Sequence, residues 1–152
     1  LWSGEPFAHR GEAFRLEEMT FLPRPVQRPR PPIWVAGYWP HRAPMRRAAR
    51  WDGVVPLSAA LVESDPGAPI PLHELDAVVA VVRAERGQRG LEGFDVVVNG
   101  TLPDDPGEAA DLHARYSDVG ATWWSENVNG WRGSVPEMLD LVRRGPPRTA
   151  AG

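Results

Sequence analysis

The sequence predicts an α/β fold in which four strands, each followed by a helix, form a parallel sheet. Three observations lead to that class. Four short runs rich in apolar residues, IWVAG (33–37), GVVPL (53–57), FDVVVNG (94–100) and ATWWSEN (121–127), have strand length and no strict alternation. Each is followed by a stretch with helical character, and glycine and proline punctuate the joints. Strands apolar on both faces and joined by helical crossovers belong to parallel sheets. Four such units are half of an eight-stranded (β/α) barrel, or a small open α/β sheet.

The elements follow in order. Residues 1–22 read as a surface hairpin, PFAHRG and EAFRLEEMTF, turning at Gly11-Glu12. PRPVQRPRPP (23–32) is an extended strap, because each proline ring fixes φ and removes a donor. A proline-rich ligand for a recognition domain is the other reading of that strap. The strand 33–37 ends on Gly37. Residues 40–50 then read as a helix, with Met45, Ala48 and Ala49 on one side and Arg42, Arg46 and Arg50 on another. Pro44 is expected to confine that helix to its C-terminal part. After strand 53–57, residues 71–87 carry Leu72, Leu75, Val78, Val79 and Val82 at helical spacing, with Gly87 as a stop. Strand 94–100 precedes a helix over 105–120, with Asp105 as N-cap and Pro106 at its first position. Strand 121–127 precedes a last helix over 134–145, where Ser134 and Glu137 stand in capping-box register. Residues 146–152 read as a loose tail. The domain plan is a hairpin and strap (1–32), a half barrel (33–145) and the tail.

Composition narrows the function. There is no cysteine, which excludes disulfides, thiolate metal sites and cysteine nucleophiles. The net charge of -3 argues against general affinity for nucleic acid. All 17 basic residues are arginine, and the Arg42, Arg46, Arg47 and Arg50 group reads as the wet side of an outer helix. No apolar run approaches the roughly 20 residues that span a bilayer. Leu1-Trp2-Ser3-Gly4-Glu5 does not read as a signal peptide, and the expected location is cytoplasmic. His9, His41, His73 and His113 are scattered, with no metal-binding pair among them. Neither a Walker loop, a G-x-G-x-x-G turn nor a G-x-S-x-G elbow occurs.

Ligands of parallel α/β folds collect at the C-terminal ends of the strands. The first end is Ala36, Gly37, Tyr38 and Trp39, leading into His41 and Arg42. Glycine lets backbone approach a ligand, and the next helix offers unpaired N–H groups, so this corner suits a phosphate. A tight turn is the other reason for a glycine here. The third end brings Asn99, and the last brings Trp124 and Glu126. If Trp124 faces the barrel mouth, Glu126 does too, and Trp123 packs outward under helices. Asn99, Trp124 and Glu126 are then candidates to line a pocket for a small-molecule substrate. The alternative is two core tryptophans and a solvated carboxylate.

GEAFRLEEMTFLPRPVQRPRPPIWVAG, then RRAARWDGVVP and GATWWSE, resemble the luciferase-like flavin-dependent oxidoreductases. The resemblance runs from about Leu1 to Arg144. It implies a (β/α)8 barrel that binds FMN or coenzyme F420 and catalyses monooxygenation or hydride transfer. It places Ile33–Gly37 as the fifth barrel strand and 94–100 and 121–127 as the seventh and eighth. Ala36, Gly37 and Tyr38 then correspond to the segment whose backbone holds the cofactor phosphate, with Trp39 and Arg42 beside it. Many members have two glycines at that place; here the second is Tyr38, which narrows the approach.

The resemblance also implies that strands one to four of the barrel are supplied elsewhere. The chain, which begins with Leu1, is expected to be the C-terminal half of a longer enzyme or a truncated gene product. Its free sheet edges and apolar inner face call for a cover, either the missing N-terminal half or a homo-oligomer partner. A degenerate half barrel that binds flavin without catalysis is the competing expectation.

Overall fold

The computed structural model describes residues 2–146, and the chain divides between Pro32 and Ile33 into two compact units. The expected tail, apart from Pro146, lies outside the described residues.

In the first unit, β1 (Phe7–Arg10) and β2 (Arg15–Met19) pair antiparallel, with Phe7 opposite Met19 and Arg10 opposite Arg15. The Gly11 N–H donates to the Phe14 carbonyl at 2.9 Å and closes the turn. Phe7 stacks on Phe21 at 5.9 Å. The strap of residues 23–32 contains neither helix nor strand, as its prolines require. No residue from 2 to 32 is fully buried.

The second unit holds a four-stranded parallel sheet in the order β3 (Trp34–Trp39), β4 (Gly53–Ser58), β5 (Asp95–Gly100) and β6 (Trp123–Glu126). The crossovers are α1 (Arg42–Ala48), α2 (Leu72–Arg86) and α3 (Pro106–Val119), and α4 (Val135–Arg144) follows β6. Each strand pairs with the next in sequence, so the sheet is wound in one direction. Its core lies between one face and the helices. Met45, Ala48 and Ala49 of the α1 segment, Leu75, Val78, Val79 and Val82 of α2, and Tyr116 of α3 close on Val54, Val96 and Val98. Each fully buried Val or Leu contributes on the order of 1.5–3 kcal/mol.

Local signals account for the element ends. Asp105 caps α3 by accepting from the Glu108 N–H at 2.9 Å, and Gly120 ends that helix at φ 115, a left-handed value that suits glycine. The Glu137 carboxylate reaches back to the Ser134 N–H at 2.7 Å at the start of α4. Arg86, 9% exposed, donates to the carbonyls of Gly90 at 2.6 Å and Glu92 at 2.9 Å, and lies over the Phe94 ring at 4.6 Å. It pins the turn after α2 to the start of β5.

Two expectations are corrected. The first core strand does not stop at Gly37 but continues to Trp39, with Gly37 opposite Pro56 and Trp39 opposite Ser58. Pro44 does not delay the helix; it sits in the first turn of α1, where a missing N–H costs nothing.

Candidate functional site

Alternation along the strands gives the sheet two chemically different faces. Toward the helices point Val35, Gly37 and Trp39 of β3, Val54, Pro56 and Ser58 of β4, Val96, Val98 and Gly100 of β5, and Trp124 and Glu126 of β6. The opposite face carries Trp34, Ala36 and Tyr38, then Val55 and Leu57, then Asp95, Val97 and Asn99, then Trp123 and Ser125. The helix-covered core lies on the other side, and of the side chains on this face only Val97 is buried.

At the N-terminal end of this open face, Trp34 lies across Gly53. A Cβ on Gly53 would stand 2.6 Å from Trp34 Cδ1, so the residue must be glycine for the ring to reach over. The Trp34 indole donates to Asp95 Oδ2 at 2.9 Å and the Trp123 indole to Asp95 Oδ1 at 3.0 Å. The two rings are 5.6 Å apart.

At the C-terminal end, Tyr38 is paired with Leu57 and Asn99 with Ser125, so all four side chains rise toward the rim of the open face. The chain leaves β3 through Trp39 and Pro40, and the His41 N–H donates to the Tyr38 carbonyl at 3.0 Å. The start of α1 has no capping side chain and no acidic residue in its first turn, and Arg42 is exposed beside it. An uncapped helix start with a guanidinium next to it is locally electropositive.

The five residues expected around a phosphate therefore divide. Ala36 and Tyr38 lie on the open face, and Arg42 is exposed at the rim. Gly37 and Trp39 turn toward the helices, and Trp39 packs against the core. The glycine has a packing reason: a Cβ there would overlap Pro44 Cβ and come within 3.1 Å of Met45 Cε. Gly37 lets α1 lie close on β3.

The orientation expected for the last strand is reversed. Trp124 faces α3, its ring 5.4 Å from Tyr116 and 5.2 Å from His113, and it packs against the core. Trp123 is the residue on the open face. The reason is register: Trp124 pairs with Val98, which belongs to the core packed under the helices, whereas Trp123 pairs with Val97, which is buried but outside that core. Asn99 keeps to the open side, so it is separated by the sheet from Trp124 and Glu126.

Glu126 is only partly exposed and is held from several sides. It accepts from the Trp124 indole at 2.8 Å and the Leu102 N–H at 3.1 Å, and it is paired with Arg132. Arg132 also donates to the Asn127 carbonyl at 3.0 Å. The pair staples the loop after β5 to the loop after β6. Next to it a cavity of about 610 Å³ opens between α3 and α4, lined by Leu102, Ala109, His113, Trp124 and Leu141. Beneath it the Tyr116 hydroxyl donates to the Ile70 carbonyl at 2.7 Å, and burial pushes its pKa up against an opposing pull from Arg115.

No known family's model matches the chain. Over 41 residues the chain is 44% identical to the oxygenase component of a flavin-dependent trigonelline monooxygenase from Acinetobacter baylyi. The match takes in 27% of the chain and 11% of that protein, which is therefore more than twice as long. It is a local similarity to a flavin-dependent monooxygenase component.

Among the described residues no group of three or more His, Asp or Glu side chains is placed to hold a metal ion, and no helix is long and apolar enough to cross a membrane. Reading the sequence missed Trp34, Asp95, Ser125 and Arg132. The first three follow once the register shows which face is open. Arg132 stands in a loop without periodicity, and no local signal marks it.

Proposed function

We propose that this chain is the flavin-binding part of a luciferase-like, flavin-dependent oxidoreductase, built as four consecutive units of a (β/α)8 barrel. The 41-residue similarity to a flavin-dependent monooxygenase component carries the reading. The sheet supports it: four parallel strands wound in sequence, helices on one face only, and an open inner face are what a half cylinder leaves.

In this reading the FMN phosphate lies at the turn from β3 to α1. The fit rests on the bare start of α1 and the exposed Arg42, with Tyr38 on the inner rim. Gly37 contributes by letting α1 approach β3, which sets the height of that helix start. Ala36 and Trp39 hold the strand end from its two sides. The bound flavin supplies the redox chemistry; the protein orients it and excludes water. Asn99 and Ser125, on the open face, would line the substrate pocket, whereas Trp124 and Glu126 act from behind the sheet by fixing the two loops. The substrate is a small molecule, and no catalytic base is assigned to this half.

Titrating the purified chain with FMN and, in parallel, with F420 tests the reading through quenching of tryptophan fluorescence. Saturable quenching by FMN is expected. No saturable quenching by either cofactor, in a chain that is folded by circular dichroism, overturns it.

A further inference from the structure

Four loops leave the C-terminal ends of the strands, the side on which parallel α/β folds bind their ligands. Three are the stretches 40–41 after β3, 101–105 after β5 and 127–134 after β6. The fourth, after β4, runs from 59 to 71 and is the longest. Strand-to-helix connections usually take roughly 2–6 residues, and much longer ones in compact domains are mostly functional.

Both ends of the long loop are fixed. Ser58, the last residue of β4, pairs with Trp39. At the other end Pro69 packs on Gly100, where an added Cβ would stand 2.8 Å from Pro69 Cβ. Ile70 is buried in the core, and its carbonyl accepts the Tyr116 hydroxyl. Between these anchors the chain folds on itself. Ser64 Oγ donates to the Ala60 carbonyl at 3.3 Å. The Asp65 N–H donates to the Leu61 carbonyl at 3.0 Å, and the Ala68 N–H to the Asp65 carbonyl at 3.1 Å. Residues 62–66 are all exposed. A compact loop closed by its own hydrogen bonds and held at its two ends moves as one piece.

One side chain reaches that piece from another element. The Asn127 amide donates to the Gly67 carbonyl at 3.2 Å. Among the described residues this is the single hydrogen bond that ties residues 61–68 to another element. The backbone of Asn127 is fixed independently: its N–H donates to the Gly100 carbonyl at 2.9 Å, and its carbonyl accepts from Arg132 at 3.0 Å. The side chain can therefore release the loop while the end of β6 stays in place.

We propose that residues 59–68 are a lid on the C-terminal rim and that Asn127 is the latch that holds it closed. Register sets where the lid lies. Ser58 opposite Trp39 starts it beside the turn from β3 to α1, and Thr101 and Asn127 flank its far end near Gly67. A latch of one neutral hydrogen bond favours the closed form by about threefold to tenfold, so the lid opens often enough to admit a ligand. What the lid shields rests on the flavin reading: closed, it keeps water from the bound cofactor and slows its escape. The lid and its latch stand on the contacts alone.

The chain has no cysteine, so two introduced thiols carry spin labels without competition. Glu63→Cys lies on the lid and Asp111→Cys on α3, and both positions are exposed. Double electron–electron resonance on the intact chain measures the distance between them. The measurement is repeated with Asn127→Asp, which keeps the shape of the side chain and removes the donor, and with Asn127→Ala. One main distance is expected with Asn127, and a second population in both variants, with circular dichroism unchanged. A single unchanged distance in the variants overturns the latch. A broad distribution already present with Asn127 overturns the closed state. Stopped-flow release of FMN from the unlabelled proteins is expected to be about threefold to tenfold faster in Asn127→Asp. Release at the wild-type rate from an opened lid overturns the shielding. No binding of FMN at all sinks the flavin reading, and the distances then decide the lid by themselves.

Discussion

Trp34 and Trp123 stand on strands at opposite edges of the sheet, yet their rings are 5.6 Å apart. Asp95 brings them together by accepting one indole N–H on each carboxylate oxygen. Gly53 leaves the room for the first of them. The cluster ties the two outer strands together across the N-terminal end of the open face.

Asp95→Ala removes both acceptors. The bonds are partly wet, so each indole recovers water, and the expected loss is about 1–2 kcal/mol. Urea unfolding followed by far-ultraviolet circular dichroism measures it. Gly53→Ala acts on the same cluster through steric overlap with Trp34 and is expected to cost about 1–3 kcal/mol.

Gly37→Ala places a methyl group inside Pro44 and against Met45, and α1 must lift off β3. Overpacking of this kind costs about 1–3 kcal/mol. The partner change identifies the cause. Adding Pro44→Gly, which removes the colliding Cβ, is expected to recover part of the loss, while Pro44→Ala, which keeps it, recovers none. Thermal melts of the three variants decide the matter.

Glu126 and Arg132 are both half-buried, and each also holds backbone of a rim loop. Arg132→Met leaves the carboxylate with the Trp124 indole and the Leu102 N–H but without its counter-charge. A cost of about 2–3 kcal/mol is expected. Amide exchange at residues 102 and 127 is expected to quicken while that of Val96 and Val98 stays slow. Uniform quickening would contradict a local staple.

Tyr116 supplies a pH dependence. Its folded-state pKa is raised, chiefly by burial. The folded state therefore holds the phenolic proton more tightly than the unfolded state. That contribution is fully present below the ordinary tyrosine value of about 10 and is lost as pH rises through the folded value. Wild type is expected to lose stability above about pH 10. Tyr116→Phe has a flatter alkaline limb and starts about 1–2 kcal/mol lower, because the Ile70 carbonyl loses its donor.

Much of the fold was legible because its signals are local. The spacing of Leu75, Val78, Val79 and Val82 marks the buried side of α2. Asp105 with Pro106, and Ser134 with Glu137, mark the starts of α3 and α4. The site was less legible because it depends on relations between elements. Period-two alternation places Trp123 and Trp124 on opposite faces, but only pairing with Val97 and Val98 says which face is which. Gly37 reads equally as a ligand corner or a packing notch until Pro44, seven residues on, is seen against it. Arg132 reaches Glu126 across a loop, and no periodicity forecasts such a contact.

The central claim is that the turn from β3 to α1 holds the phosphate of a flavin. The most direct measurement compares FMN with riboflavin, which lacks the phosphate, by calorimetric titration of wild type and Arg42→Ala. FMN is expected to bind wild type at least tenfold more tightly than riboflavin does, and Arg42→Ala is expected to remove most of that difference while leaving riboflavin binding unchanged. Equal affinity for the two ligands, or an FMN preference that survives Arg42→Ala undiminished, would contradict the account.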